Sequence, residues 1–162
     1  MNRLRLSVAP VVLLVEPDNT VRGTVASVCR DLGIAKVHQG LSVASGEQWL
    51  MAGRPKGLVL SMSEEGAALA LLERLRAGEF PCGPGIPVVC MAHACTAELA
   101  DRLKGLNVRR LLLHPFKLRD VIQTIEQLSR PEPAQTADTS NATPKEGAIG
   151  DAATGASEAL AA

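Results

Sequence analysis

Five short apolar runs recur along the first 129 residues, and each is followed by a segment whose apolar positions have helical spacing. The run VVLLV at residues 11–15 shows no alternation of apolar and polar residues, which is typical of a strand covered on both faces, whereas the signal at residues 35–39 is weak. The five runs predict strands at residues 11–15, 35–39, 58–62, 87–91 and 110–113. Predicted helices follow the caps at residues 18–20 and then occupy residues 45–51, 67–76, 96–104 and 118–128.

Strands that alternate with helices in this way favour a parallel sheet with helices on both faces. Right-handed crossovers would bring the carboxyl ends of all the strands to one edge, where such folds keep their ligand sites. The polar turns after the strands are therefore the place to look for chemistry. The third strand ends in Ser61, Met62 and Ser63, without a carboxylate, a nucleophile and base pair or a phosphate-binding glycine loop.

Four stretches in this order resemble the receiver domains of two-component response regulators: VVLLVEPDNTVR, SVASGEQWL, IPVVCMAHA and LLLHPFKLRDVIQTI. The resemblance covers residues 11–128. It implies a flavodoxin-like, doubly wound α/β fold with a five-stranded parallel sheet of (βα)5 form, in a domain of residues 8–129. It also implies a cytoplasmic signalling module of the two-component or phosphorelay kind that is not an enzyme.

The phosphorylation site of that family has five characteristic positions. Two acids after the first strand hold Mg²⁺, an Asp that ends the third strand accepts the phosphoryl group, and a hydroxyl and a Lys bind its oxygens. The matching positions here are Glu16 and Pro17, with Asp18 one place late, for the acids; Ser61, or Met62 after a one-residue shift, for the acceptor; Ala92 for the hydroxyl; and His114 for the lysine.

Four of these five positions have lost the side chain that the chemistry needs. Pro17 offers Mg²⁺ no ligand, although this hard cation requires several oxygen ligands. A serine cannot form the acyl phosphate that an aspartate forms. The resemblance thus implies a degenerate pseudo-receiver with no catalytic residue, no metal and no cofactor.

Several residues keep a second interpretation. Ser61 is a candidate phosphosite for a Ser/Thr kinase, although a hydroxyl at a strand end more often bonds to nearby backbone. His114 beside Glu16 would form a pH-sensitive pair, although a histidine without a role is the simpler interpretation. A metal site formed by Cys90, His93 and Cys95 lacks a paired ligand spacing.

Composition separates the last part of the chain from the rest. Residues 130–162 contain one Ile, one Leu, no Val and no aromatic residue, which predicts a disordered Ala/Thr/Pro-rich acidic tail. Of the 17 basic and 17 acidic residues, two and five lie there, which leaves 15 and 12 for residues 1–129. This mild imbalance does not indicate nucleic acid.

The apolar run near the amino terminus does not read as a targeting signal. It follows Arg3 and Arg5 but ends in Glu16, Pro17 and Asp18 without a small-residue cleavage site. No run approaches the ~18 apolar residues of a membrane span. The four cysteines lie among apolar neighbours, which favours buried, reduced thiols.

A group of basic residues is predicted on the face made by the fourth helix, the fifth strand and the fifth helix, which receivers use for dimers and outputs: Lys104, Arg109, Arg110, Lys117 and Arg119. We expect this face to bind a signalling protein, namely a histidine kinase, a phosphotransferase or a response regulator, or a second copy of the chain. Solvated charge without a partner is the simpler alternative. A second alternative is a sensor of an anionic nucleotide such as a cyclic dinucleotide, which Arg109 and Arg110 would bind. An orthodox phosphorylation switch with unusual residues ranks last.

Overall fold

The computed structural model describes residues 9–130, in which five strands form one sheet. Every neighbouring pair of strands is parallel, and their order is β2-β1-β3-β4-β5. The strands are β1 (Val11–Val15), β2 (Lys36–Gly40), β3 (Gly57–Ser61), β4 (Val88–Ala92) and β5 (Arg110–Leu113). The predicted doubly wound sheet is confirmed, and we call its two ends the carboxyl edge and the amino edge.

Five helices cover the two faces of this sheet: α1 (Asn19–Asp31), α2 (Val43–Ala52), α3 (Glu65–Arg76), α4 (Ala97–Gly105) and α5 (Leu118–Ser129). Residues of α1 and α5 form one apolar cluster with Val12, Leu14 and Val59 of the sheet. Residues of α2, α3 and α4 form the other, with Leu13 and Leu60. Alternate side chains of β1, β3 and β4 enter opposite clusters, which explains why these central strands are apolar along almost their whole length. The edge strand β2 has the sequence KVHQG and contributes only Val37.

Two helices, α2 and α3, begin two residues earlier than their sequence pattern predicts. At α2, side chains reach the exposed N–H groups of the first turn, whereas Glu64, the N-cap residue of α3, makes no side-chain capping hydrogen bond. The hydroxyl of Ser42 accepts from Ser45 N–H at 3.2 Å, and that of Ser45 accepts from Ser42 N–H at 3.0 Å. Ser45 is therefore the third residue of a capping box and not the start of α2. Helix α3 starts at Glu65, two residues before its prediction.

Strands β2, β3 and β4 are each displaced by one residue from their predicted bounds. The register of the sheet decides this. Leu58 pairs with Val88 and Ser61 with Met91, so β3 already ends at Ser61, while Met62 N–H still donates to Met91 C=O at 2.8 Å.

Within residues 9–130, no helix combines the length and the apolar character needed to cross a bilayer. The prediction of a tail at residues 130–162 falls outside the described residues except for Arg130, and it stays a prediction.

Candidate functional site

The turn between β1 and α1 holds the two acidic residues of the predicted site. Glu16 is only 5% exposed, and its Oε1 accepts from Asp18 N–H at 3.0 Å. Asp18 Oδ1 accepts from the N–H groups of Thr20 and Val21 at 2.8 and 3.0 Å, which caps α1. Asp18, the acid that comes one place late, thus serves the start of a helix.

A buried arginine closes the same turn. Arg22 is 7% exposed, and its Nη1 donates to Glu16 C=O at 2.6 Å and to Pro17 C=O at 3.3 Å. Its Nη2 donates to the side-chain oxygen of Asn19. Arg22 was not among the residues predicted from the sequence. The one signal for it is a basic residue near a helix N-terminus, where the dipole favours acids.

At the end of β3, both candidate acceptors are buried. The Ser61 hydroxyl lies 3.1 Å from the Ser63 hydroxyl and accepts weakly from Ser63 N–H at 3.4 Å. The Met62 side chain lies in the core cluster that also contains Ala92. The register that pairs Val15 with Leu60 brings Glu16 level with Ser61 at the carboxyl edge.

Two histidine side chains, one directly after β4 and one directly after β5, contact each other at the carboxyl edge. His114 stacks on His93, with ring centroids 4.1 Å apart and 16° between the planes, and it packs against Phe116 at 4.2 Å. Ala92 is buried and carries no hydroxyl. His93, which the sequence analysis considered only as a metal ligand, is therefore the neighbour that matters for His114.

The pKa of His114 moves in the direction opposite to that expected from a simple pair with Glu16. Burial and the neighbouring His93 lower this pKa from 6.5, and together they outweigh the opposing effect of Glu16 and Asp18. The neutral imidazole is favoured at the position where receivers carry a lysine.

The basic residues predicted to form one face lie at two ends of the fold. Lys104 lies in the last turn of α4. Arg109 directly precedes β5 and Arg110 begins it at the amino edge, where Arg109 N–H donates to Val88 C=O at 2.8 Å. Lys117 and Arg119 lie at the start of α5, at the carboxyl edge. The Arg110 guanidinium donates to the Thr124 hydroxyl at 3.2 Å, which ties it to α5.

Neither a protein-family model nor a curated protein matches this chain. Solved structures do. A response regulator from Thermotoga maritima is 18% identical with a TM-score of 0.62, covering 74% of this chain and 97% of that one. A CheY-like receiver domain protein from Methanospirillum hungatei JF-1 is 15% identical with a TM-score of 0.65, covering 74% and 94%. A receiver protein from Pseudoalteromonas atlantica is 18% identical with a TM-score of 0.62, covering 74% and 96%.

The chain has the fold of a CheY-like receiver domain. At these identities the likeness concerns the fold alone, so the chemistry must be judged from the residues at its carboxyl edge. The Mg²⁺ of receivers does not fit here, because Asp18 Oδ1 is engaged in capping and β3 ends without a carboxylate. Glu16 Oε2 is buried without a hydrogen-bond partner among residues 9–130, but one carboxylate is not an octahedral cage.

A thiol-based metal site in this receiver fold is also unsupported. Among the described residues, no cluster of three or more His, Cys, Asp or Glu side chains could hold a metal ion. Cys90 lies wholly within the core, and burial raises the pKa of its thiol to about 12. The thiolate needed for metal binding is therefore strongly disfavoured there.

Proposed function

We propose that the protein is a receiver-like signalling module of the cytoplasm that acts by binding another protein and is not phosphorylated on an aspartate. The observation that carries this proposal is the end of β3. Ser61 is hydrogen-bonded to Ser63, and Met62 is packed in the core, so no carboxylate is available where the receiver fold places its acceptor.

The other phosphoryl-binding contributions are missing in the same way. Ala92 has no hydroxyl, and His114 favours its neutral form, which weakens any counter-charge for a phosphoryl group. Arg22 cannot take over the lysine's role while its donors bind the carbonyls of Glu16 and Pro17. Together these replacements remove the acceptor, the hydroxyl and the counter-charge of the phosphoryl site.

Association is then the output that the domain can provide, and the face formed by α4, β5 and α5 is our candidate surface. Its amino-edge part carries Lys104, Arg109 and Arg110, all exposed. A signalling protein such as a histidine kinase, a phosphotransferase or a response regulator would meet this positive rim with an acidic one.

Treatment with Mg²⁺ and acetyl phosphate, or with Mg²⁺ and beryllofluoride, tests the proposal. We expect no phosphate adduct in the intact mass, no shifted band on a phosphate-affinity gel and no change in the fluorescence of Trp49, the only tryptophan. A phosphorylatable receiver domain treated in parallel is the positive control. A saturable, Mg²⁺-dependent adduct on this protein would refute the proposal.

A further inference from the structure

An apolar groove runs between α1 and α5, on the outer side of the helices. Its volume is about 550 Å³, and Val28 and Leu32 of the α1 side face Leu118 and Ile122 of α5 across it. Leu32 is 65% exposed and Leu118 is 40% exposed, and they are two of the five large exposed apolar residues in residues 9–130. We call this surface the α1–α5 seam.

Two opposite charges lie at the ends of the α5 wall of the seam. Arg119 and Glu126 both line the groove and are seven residues apart, which is two helical turns or about 10 Å. Ile122 and Gln123 lie between them at the midpoint. A two-fold axis through this midpoint, perpendicular to α5, would place Arg119 of each copy against Glu126 of the other, because a two-fold interface is self-complementary.

The same axis would also bring the exposed Leu32 side chain to an apolar depression on the other copy. A second depression of about 200 Å³ lies at the other end of the seam and is lined by Val21, Phe116 and Leu118, among others. Leu32 lies at the opposite end of α1 from Val21. Two-fold rotation reverses the seam end for end and carries Leu32 of one copy to the depression of the other.

We propose that two copies of this chain dimerise through the α1–α5 seam, with antiparallel α5 helices and reciprocal Arg119 to Glu126 ion pairs around an apolar centre. Arg119 makes no ion pair with another described residue, whereas Glu126 pairs with Arg130 at 2.6 Å. That pair is exposed, and exposed pairs contribute little, so Glu126 can exchange it for the contact across the interface. The proposal uses neither the phosphorylation positions at the carboxyl edge nor the amino-edge residues Lys104, Arg109 and Arg110, and the only part of the proposed partner-binding face that it shares is α5, with Arg119.

Sedimentation velocity of the full chain over a wide concentration range tests the dimer. We expect a reversible dimer in the wild type, with a dissociation constant raised at least tenfold by Arg119→Glu and likewise by Glu126→Arg. Each single variant places like charges opposite each other twice in its own homodimer. Arg54→Glu, an equal change of charge in the loop between α2 and β3 and outside the seam, should leave the dimer intact, and circular dichroism reports that each variant is folded.

Charge exchange makes the test specific. An equimolar mixture of Arg119→Glu and Glu126→Arg chains should regain dimerisation, because every pair across the heterodimer is again opposite in sign. The double variant should regain it alone. A wild type that stays monomeric at all concentrations, a dimer insensitive to both single variants, or a mixture that fails to associate would each overturn the proposal.

Discussion

His114 shows how its neighbours decide the chemistry of a side chain at the carboxyl edge. The carboxylates of Glu16 and Asp18 favour its imidazolium form, but burial and His93 favour the neutral form and prevail. Because the folded protein binds a proton here less tightly than the unfolded chain does, the unfolded state takes up more protons on acidification. The stabilising contribution of neutral His114 is therefore present above the ordinary pKa of 6.5 and is lost as the pH falls below it.

An NMR titration of the histidine ring protons checks this. His114 should titrate below 6.5, and His93→Gln should raise the pKa of His114, since it removes the neighbouring imidazole whose charge lowers that pKa. His38→Gln, on β2 and against Trp49, is the matched control and should leave the His114 titration unchanged. A pKa of His114 above 6.5 would instead mean that Glu16 and Asp18 dominate.

At the scale of elements, the packing of α2 on β1 depends on a glycine in the middle of the helix. A Cβ on Gly46 would lie 2.6 Å from Val15 Cγ2, in a buried β-branched side chain with little freedom to move. The close approach of helix and strand thus outweighs the cost of about 1 kcal/mol that glycine imposes on a helix interior. No close contact requires a glycine at position 23 in α1, since a Cβ added to Gly23 would meet nothing within 4 Å.

The two glycines should therefore respond oppositely to alanine. We expect Gly46→Ala to lower the free energy of unfolding by about 1–3 kcal/mol through overpacking. Gly23→Ala should raise it by up to about 1 kcal/mol, because only helix propensity changes there. Urea unfolding measures both, and the cost of Gly46→Ala should shrink in a Val15→Ala background. An increase in stability from both alanines would contradict the packing argument.

At the scale of the whole domain, charge is unevenly distributed between the two edges of the sheet. The carboxyl edge carries the acids Glu16, Asp18, Glu64, Glu65 and Glu98 beside the bases Lys117 and Arg119, and the amino edge carries the bases Lys36, Arg54, Lys56, Lys104 and Arg110. Helix dipoles favour this arrangement at helix ends, but Lys36, Arg54 and Lys56 lie outside the helices. The amino edge thus carries more basic residues than favourable interactions with the helix dipoles explain.

Because the amino edge is positive as a whole, an acidic partner could be attracted by its overall field or by specific contacts with the α4–β5–α5 face. Two double variants at this edge distinguish these two effects. Replacing Arg109 and Arg110 by Glu should slow association with a captured signalling protein about tenfold or more at low salt, because two rim charges change sign. Replacing Arg54 and Lys56 by Glu changes the same charge at the same edge, away from β5, and is the matched control. Equal losses in both variants would mean that the overall field acts and not the face.

The same two double variants also test the alternative that Arg109 and Arg110 bind an anionic nucleotide. Calorimetry with a cyclic dinucleotide should give no heat with the wild type if the domain binds proteins alone. Heat that disappears in the Arg109 and Arg110 variant, while the Arg54 and Lys56 variant keeps it, would favour the sensor instead.

The order of elements could be predicted from sequence because it depends on local patterns. Unalternated apolar runs such as residues 11–15 mark covered strands, and helical spacing such as that of Val121 and Ile125 marks one buried side. The absence of an acceptor carboxylate at Ser61 and Met62 could also be predicted from the sequence, since folding cannot supply a functional group that the residues lack. Boundaries were less certain because a cap such as the one from Ser42 and Ser45 adds residues outside the apolar pattern.

What only the tertiary structure decided is how residues far apart in the chain meet. Strand order and crossovers place His93 against His114 and so lower the pKa of His114, divide the basic residues between two edges, and bring α2 close to Val15. They also join Leu32 and Leu118 in one seam. The sequence by itself determined which functional groups and elements the protein has, because these are local properties. The fold determined which groups are neighbours, because packing and electrostatic shifts depend on distance in space.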